Sequence, residues 1–248
     1  MVFEYSYHKS LDHLHVNCEK PRAYFIPYGS ESAARRSNRA ESLRFLSLCG
    51  EWDFQYYPSV THAPEFLAGS FSTEGFDKLS VPRSWQSVQG KGYDTPNYTN
   101  ARYPFPFDPP HVPADNPCGL YVRSICLDPA FLDRDIYINF EGVDSCFYLF
   151  VNDQFAGYSQ VSHMTSEIKL TGLLRPGENI LKVLVFKWCD GSYLEDQDKY
   201  RYSGIFREVY LLARDKACVK DVYLRTALSA DYGKGTVTPE LTDRKSVV

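Results

Sequence analysis

Short segments in which apolar residues recur at every second position dominate the chain after residue 45. Apolar and polar side chains alternate over 52–56, 136–140 and 147–151. This period of two predicts half-buried β-strands. Residues 180–186 and 205–212 are apolar on both faces, which predicts central strands covered on each side. Because helix signals are sparse, the sequence predicts an all-β fold, a β-sandwich of jelly-roll type.

Turn and loop signals separate these strands. Asn152-Asp153 suits a tight hairpin. Seven prolines lie between residues 96 and 117, where they prevent a regular ladder of hydrogen bonds. The same segment contains Tyr93, Tyr98 and other aromatic residues whose burial can offset the entropy of an irregular loop. We therefore expect residues 85–121 to form an ordered loop across one end of the sandwich.

An acidic block lies between the two apolar segments. Asp190, Glu195, Asp196 and Asp198 follow each other closely there, and tyrosines stand nearby. Like charges at such spacing repel unless hydroxyl groups or cations meet them. A carboxylate can accept hydrogen bonds from neighbouring sugar hydroxyls or help to hold a hard cation. The block therefore predicts a polar binding site, and its chemistry favours a carbohydrate.

Other interpretations of these residues stay open at this point. Asp190, Glu195 and Asp196 could cap turns or pair with Arg201 and Arg207. The spacing would also allow a catalytic pair of carboxylates within the block.

Three aromatic residues of the long loop also allow two interpretations. Trp85, Tyr93 and Tyr98 could stack on a sugar, although rings in irregular segments more often form the core of the loop.

Composition excludes several classes of function. The 248 residues carry a formal net charge of −4, so we expect no nucleic-acid or membrane partner. Seven cysteines without a CxxC pair predict free thiols in a reducing compartment. The sequence shows neither a secretion signal nor an apolar run long enough to cross a membrane, which predicts a cytoplasmic location.

The pattern changes near the C-terminus. Alternation within 219–228 predicts a new strand that begins a second sandwich domain. Residues 243–248 match the in-frame translation of a common sequencing adapter, so we expect them to be a non-native tail.

Several longer stretches resemble the N-terminal part of the bacterial family-two glycoside hydrolases of the β-galactosidase type. The resemblance extends over about residues 40–225. The matching stretches are Leu48-Cys49-Gly50-Glu51-Trp52-Asp53-Phe54, Val81-Pro82-Arg83-Ser84-Trp85-Gln86, Gly92-Tyr93-Asp94-Thr95-Pro96-Asn97-Tyr98-Thr99-Asn100, Tyr103-Pro104-Phe105, Pro109-Pro110-His111-Val112-Pro113, Asn116-Pro117-Cys118-Gly119-Leu120-Tyr121, Phe140-Glu141-Gly142-Val143-Asp144-Ser145, and the acidic block through Ser203-Gly204-Ile205-Phe206-Arg207.

This resemblance implies a domain order. It predicts an N-terminal extension at 1–40, a jelly-roll, galactose-binding-domain-like sugar-binding domain at 41–215, and the truncated start of an immunoglobulin-like domain at 216–242, before the expected tail. In the family, a TIM barrel with the catalytic glutamates follows. A barrel takes about 250 residues by itself, so none fits in this chain.

The resemblance also implies roles for two residues. Asn100 matches an asparagine that reaches into the galactose site, and Asp198 matches an aspartate that contacts galactose hydroxyls and helps to ligate a sodium ion. Lys199 and Tyr200 depart from the family pattern, in which an apolar residue and a tryptophan are frequent.

The implied function is that of a fragment. The parent protein would be a β-galactosidase of lactose catabolism that hydrolyses terminal non-reducing β-D-galactose residues, and it would form a homo-oligomer. We expect no catalytic residue in this chain, no activity of the chain alone, and magnesium only in the missing barrel. The alternatives are a stand-alone carbohydrate-binding module and a domain that mainly supports packing and oligomer contacts.

Overall fold

The computed structural model describes residues 5–100, 102–195 and 198–244. Asp196 of the acidic block and residues 245–248 of the expected tail lie outside these ranges. The strands are β1 (His15–Val16), β2 (Phe45–Ser47), β3 (Gly50–Tyr57), β4 (Asp77–Val81), β5 (Asn97–Tyr98), β6 (Cys118–Leu127), β7 (Asp135–Phe140), β8 (Val143–Asp144), β9 (Cys146–Val151), β10 (Gln154–Gln160), β11 (Ser166–Lys169), β12 (Gly177–Phe186), β13 (Tyr200–Arg201), β14 (Gly204–Ile205), β15 (Val209–Arg214), β16 (Cys218–Leu228) and β17 (Gly235–Arg244). The helices are α1 (Glu31–Arg36) and α2 (Pro129–Leu132), with 3₁₀ turns at Tyr7–Lys9, Arg39–Glu41, Val60–His62, Trp85–Ser87 and Asp190–Tyr193.

Two antiparallel sheets form the body of the fold. The larger has the strand order β1-β10-β9-β12-β6-β3-β4, and the smaller has the order β11-β7-β15-β2. Their facing sides share one apolar core that includes Trp52, Leu149 and Val183 of the larger sheet and Ile138 and Leu211 of the smaller. The prediction of a β-sandwich is therefore confirmed.

A second apolar layer covers the outer face of the larger sheet. Leu120 and Leu184 are buried there beneath Phe66, and Tyr5 packs against the same cluster from the N-terminal segment. Strand β12 is consequently buried on both faces from Leu181 to Phe186, as predicted, whereas Ile180 at the start of the predicted segment is 37% exposed. Strand β9 is also buried throughout, so the expectation of a half-buried strand at 147–151 was wrong.

Strand β7 is also covered on both faces, contrary to the prediction of a half-buried strand. All of its residues are buried, although 136–140 predicted one solvated face. The guanidinium of Arg214 lies over the rings of Tyr137 and Phe25, so part of the segment before β2 covers this outer face. Strand β3 keeps the predicted alternation, with Trp52 and Phe54 buried and their neighbours partly exposed.

The apolar segment 205–212 forms two strands instead of one. β14 pairs with β8, whereas β15 lies between β7 and β2. The amides of Phe206 and Arg207 both donate to the carbonyl of Gly142 (3.2 and 3.3 Å), which interrupts the ladder. The predicted hairpin at Asn152-Asp153 is present, and both residues have the positive φ that a two-residue hairpin turn requires.

The C-terminal part forms a hairpin. β16 pairs with β17, so the strand predicted within 219–228 exists. Its side chains are largely exposed, among them Tyr223 and Leu224. The domain boundaries and the expected tail stay predictions.

Two further sequence expectations concern thiols and membranes. All seven cysteines are free. Among the residues that the structure describes, no helix has the length and apolarity needed to span a membrane.

Candidate functional site

A two-stranded ribbon joins the proline-rich loop to the acidic block. In this ribbon β5 pairs with β13, so that Tyr98 lies opposite Tyr200 and Asn97 lies opposite Arg201. Asn100 comes two residues after Tyr98, and Asp198 comes two residues before Tyr200, so both flank the paired positions of the ribbon. The structure thus brings the two predicted site residues together.

The Tyr98 hydroxyl links these two side chains directly. It donates a hydrogen bond to Oδ1 of Asp198 and accepts one from Nδ2 of Asn100 (3.1 Å). All three residues are exposed, so a ligand can reach them. The hydrogen bond to Asp198 raises the pKa of Tyr98, which keeps the phenol protonated. The cluster offers carboxylate and amide groups that suit sugar hydroxyls.

A buried lysine anchors the segment that leads to Asn100. The ammonium group of Lys187 donates to Oδ2 of Asp94 (2.5 Å) and to the carbonyl of Thr95 (3.2 Å). Gln86 donates to the same Asp94 oxygen (3.2 Å). Because a buried cation is costly unless it is paired, this arrangement fixes the backbone shortly before β5.

A buried arginine anchors the segment that carries Asp198. Nη1 of Arg201 donates to the carbonyl of Glu195 (2.7 Å), and Nη2 donates to Oγ of Ser145 (3.3 Å). Nη2 also lies 3.8 Å from Oδ1 of Asp144. Burial raises the pKa of Asp144, and Arg201 opposes this shift. Arg201 therefore ties the acidic segment to the sandwich.

Glu195 has structural contacts in this network. Its carboxylate accepts from the amide (3.0 Å) and the hydroxyl (2.7 Å) of Ser162 and lies 4.0 Å from Arg201. The alternative prediction that Glu195 pairs with Arg201 is thus confirmed, and these contacts argue against Glu195 as a catalytic carboxylate. Nη1 of Arg207 donates to the carbonyl of His163 (3.2 Å), and among the described residues Arg207 forms no ion pair with Asp190 or Glu195.

Asp190 lies away from solvent. It is buried in the 3₁₀ turn Asp190–Tyr193, and burial raises its pKa. This environment favours the structural interpretation of Asp190.

The three aromatic candidates separate into core and surface. Trp85 is fully buried and stacks on Phe54, and Tyr93 meets Phe54 edge-on. These two rings belong to the core. Tyr98 is 46% exposed, and its ring centroid lies 5.6 Å from that of Tyr200. The two hydrogen bonds of the Tyr98 hydroxyl were not predicted from the sequence, although Tyr98 stands only two positions before Asn100.

A small cleft lies beside the ribbon. It has a volume of about 230 Å³ and is lined by Ser84, Asp144, His163, Lys199, Tyr200, Tyr202 and Phe206. Ligand pockets usually have volumes of about 300–1,000 Å³. The cleft beside the ribbon is therefore smaller than an ordinary ligand pocket.

The oxygen ligands at the ribbon suit a hard cation but do not complete a metal site. A carboxylate such as that of Asp198 is a suitable ligand for such ions. Among the described residues there is no cluster of three or more His, Cys, Asp or Glu side chains that could hold a metal ion. Among the described residues of the ribbon, the carboxylate of Asp198 is the acidic group that could contact a cation.

Comparison with known proteins adds a family context. The family model described as the sugar binding domain of glycosyl hydrolases family 2 matches residues 45–215. A β-galactosidase of Actinobacillus pleuropneumoniae is 47% identical over 224 residues, which is 90% of this chain and 21% of that protein. A β-galactosidase of Staphylococcus xylosus is 42% identical over 237 residues, 95% of this chain and 23% of that protein. The chain spans about a fifth of the length of these relatives.

Solved structures share the fold. A β-glycosidase from Bacteroides vulgatus aligns with a TM-score of 0.59 at 19% identity, covering 82% of this chain and 24% of that one. A β-glucuronidase from an uncultured Clostridium aligns with a TM-score of 0.59 at 18% identity, covering 81% and 34%. At this level of identity the likeness concerns the architecture.

Proposed function

Because the chain belongs to the glycosyl hydrolases of family 2, we propose that it forms the sugar-binding part of a β-galactosidase. The full-length protein would hydrolyse terminal non-reducing β-D-galactose residues in lactose-type substrates. The family match and the β-galactosidase relatives over nine-tenths of the chain support this reaction. The observation that carries the site is the meeting of Asn100 and Asp198 at one hydroxyl group. A cytoplasmic location, a homo-oligomeric parent and a role in lactose catabolism stay predictions.

In this proposal the two polar side chains bind the galactose ring. An ionised carboxylate accepts only, so Asp198 takes hydrogen bonds from sugar hydroxyls. Asn100 offers both a donor and an acceptor. Hydrogen bonds to a charged group contribute about 1.5–3 kcal/mol each, so the subsite should discriminate strongly against deoxy sugars.

The bond-breaking step belongs to a different part of the protein. A retaining glycosidase needs two carboxyl groups about 5–5.5 Å apart on a rigid scaffold. Glu195 is held by Ser162, and Asp190 is buried, so we assign the nucleophile and the proton donor to a downstream barrel. The proposal places magnesium there as well, and we expect this chain alone to be inactive.

Asp198 would also serve a shared sodium ion. Its carboxylate oxygen is a suitable ligand for a hard cation, and the remaining ligands would come from downstream residues, water or the substrate. The ion would add positive charge beside the sugar hydroxyls.

The test of the proposal is the D198A variant of the full-length protein. We expect kcat/KM for p-nitrophenyl β-D-galactoside to fall about 10- to 100-fold, the change that the loss of one charge-assisted hydrogen bond produces. D115A, at an exposed aspartate of the proline-rich loop, is the matched control and should keep wild-type turnover. Wild-type kcat/KM in D198A would contradict the proposed role.

A carbohydrate-binding module is the second candidate, because the ribbon site is exposed and complete enough to offer three polar side chains. Calorimetry of the 248-residue chain with galactose and lactose separates the two functions. Saturable binding without the downstream domains supports a module, whereas no heat of binding supports a half-site.

A further inference from the structure

We propose that Tyr98 is a positioning residue of the galactose subsite, whose hydroxyl group sets the amide orientation of Asn100 and holds one carboxylate oxygen of Asp198. This inference rests on the proposed function. It assigns Tyr98 a role that differs from stacking on the sugar.

The available protons determine the direction of each hydrogen bond. An ionised Asp198 carries no proton, so the single phenolic proton of Tyr98 goes to Asp198. The Tyr98 oxygen then has only lone pairs left, and Asn100 must turn Nδ2 toward it, as observed at 3.1 Å. Among the described residues, nothing is hydrogen-bonded to the amide oxygen or the second N–H of Asn100, so both are available to a ligand. Without the Tyr98 hydroxyl, this hydrogen bond no longer favours one amide orientation of Asn100 over the other.

The backbone around Tyr98 is fixed independently of any ligand. Tyr98 lies in β5 and pairs with Tyr200 of β13, and Thr99 beside it is buried. Asn100 comes after β5 and Asp198 comes before β13, and both are exposed, so they gain order through the Tyr98 hydroxyl. The site is therefore arranged before the sugar arrives, which reduces the entropy lost on binding.

Preorganisation of this kind affects ground-state and transition-state binding together. The proposed reacting groups lie in another domain, so removing the hydroxyl should weaken sugar binding without changing the chemical step. We expect Y98F in the full-length protein to raise KM for p-nitrophenyl β-D-galactoside about three- to tenfold, with kcat within twofold of wild type. The phenylalanine ring keeps the contact with Tyr200.

Two comparisons distinguish positioning from a general structural effect. Y223F removes an exposed hydroxyl from the C-terminal hairpin and should leave KM unchanged. In an N100A background, Y98F should raise KM less than it does in the wild type, because one of its two partners is already gone. Fully additive effects would overturn the inference.

A measurement on the 248-residue chain tests the bridge without catalysis. In ¹⁵N-asparagine-labelled protein, the side-chain amide of Asn100, assigned by its loss in N100A, should show a lower order parameter in Y98F than in wild type. An unchanged order parameter would overturn the inference. A lowered kcat/KM in D198A combined with a wild-type KM in Y98F would overturn the positioning role and leave the proposed function intact. Wild-type kcat/KM in D198A would overturn the proposed sugar-binding role of Asp198, and the positioning role of Tyr98 with it.

Discussion

Arg201 provides the sharpest test of how the acidic segment is held. Only 2% of its side chain is exposed, and its guanidinium reaches Glu195 and Ser145 and lies near Asp144. R201M keeps much of the side-chain volume and removes the charge. We expect this variant to lose stability and to release the segment that carries Asp198.

The expected loss of stability in R201M follows from the burial of Arg201 and Asp144. Removing one partner from a buried ion pair costs about 3–5 kcal/mol, because the remaining charge stays desolvated and unpaired. Asp144 is that remaining charge, and the carbonyl of Glu195 also loses its donor (2.7 Å). R201M should therefore lower the free energy of unfolding by about 3–5 kcal/mol near neutral pH. The double variant R201M/D144N should recover part of this loss, since it removes the orphaned carboxylate.

The loss in the free energy of unfolding caused by R201M, its stability deficit, should depend on pH. Burial raises the pKa of Asp144, so the folded chain binds this proton more tightly than the unfolded chain does. The folded state therefore loses stability as the pH rises from the unfolded pKa of about 3.9 through the raised folded pKa. R201M removes the cation that opposes this shift, so its deficit should be larger at pH 8 than at pH 5.

Urea denaturation of the 248-residue chain, followed by circular dichroism at pH 5 and pH 8, measures these changes. R35M is the matched control, because Arg35 is 78% exposed and, within the described part of the chain, pairs only with Glu31 of the same short helix. It should change stability by no more than about 0.5 kcal/mol. An R201M variant within about 1 kcal/mol of wild type at pH 8 would refute the assignment of Arg201 as the anchor.

Two further predictions concern the core and the N-terminal segment. G119A should destabilise the chain by about 1–3 kcal/mol in urea titrations, because the new Cβ would lie 2.6 Å from a ring carbon of Phe54. G69A is the control, since nothing lies within 4 Å of the position of its new Cβ. Equal losses of stability in the two variants would contradict this reasoning. Burial, with a smaller contribution from neighbouring charge, lowers the pKa of His8 to about 4, so stability should fall by up to about 3 kcal/mol as the pH drops from 6.5 to 4. H8Q should flatten that part of the pH profile, and an unchanged slope would exclude His8 as its source.

Local pattern predicted the strands well and their surroundings poorly. The period of two located β3, β7 and β9, because alternation reflects the geometry of one strand. It could not show that β7 and β9 are covered on both faces. The covering groups, such as Phe66 and Phe25, come from irregular segments distant in sequence that carry no strand period.

The candidate site was likewise predictable from the sequence only in part. The composition of the acidic block indicated a polar site, and the resemblance singled out Asn100 and Asp198. The ribbon that joins them has two residues in each strand, which is too short for periodicity to reveal. Its register depends on a pairing between parts of the chain that lie about a hundred positions apart. The two strands can pair only after the folded sandwich has brought their segments together.

The span of the ribbon has a practical consequence for anyone who wants a smaller sugar-binding unit. One strand of the ribbon precedes β6, and the other follows β12, so four of the seven strands of the larger sheet and two of the four strands of the smaller sheet lie between them in the chain. A truncation that removes β5 or β13 also removes either Asn100 or Asp198. A deletion between β5 and β13 removes strands of the sandwich that bring these two residues together. A circular permutant with its new termini in the exposed turn between β16 and β17 would keep both strands of the ribbon intact. New termini within the acidic segment would instead interrupt the chain next to β13.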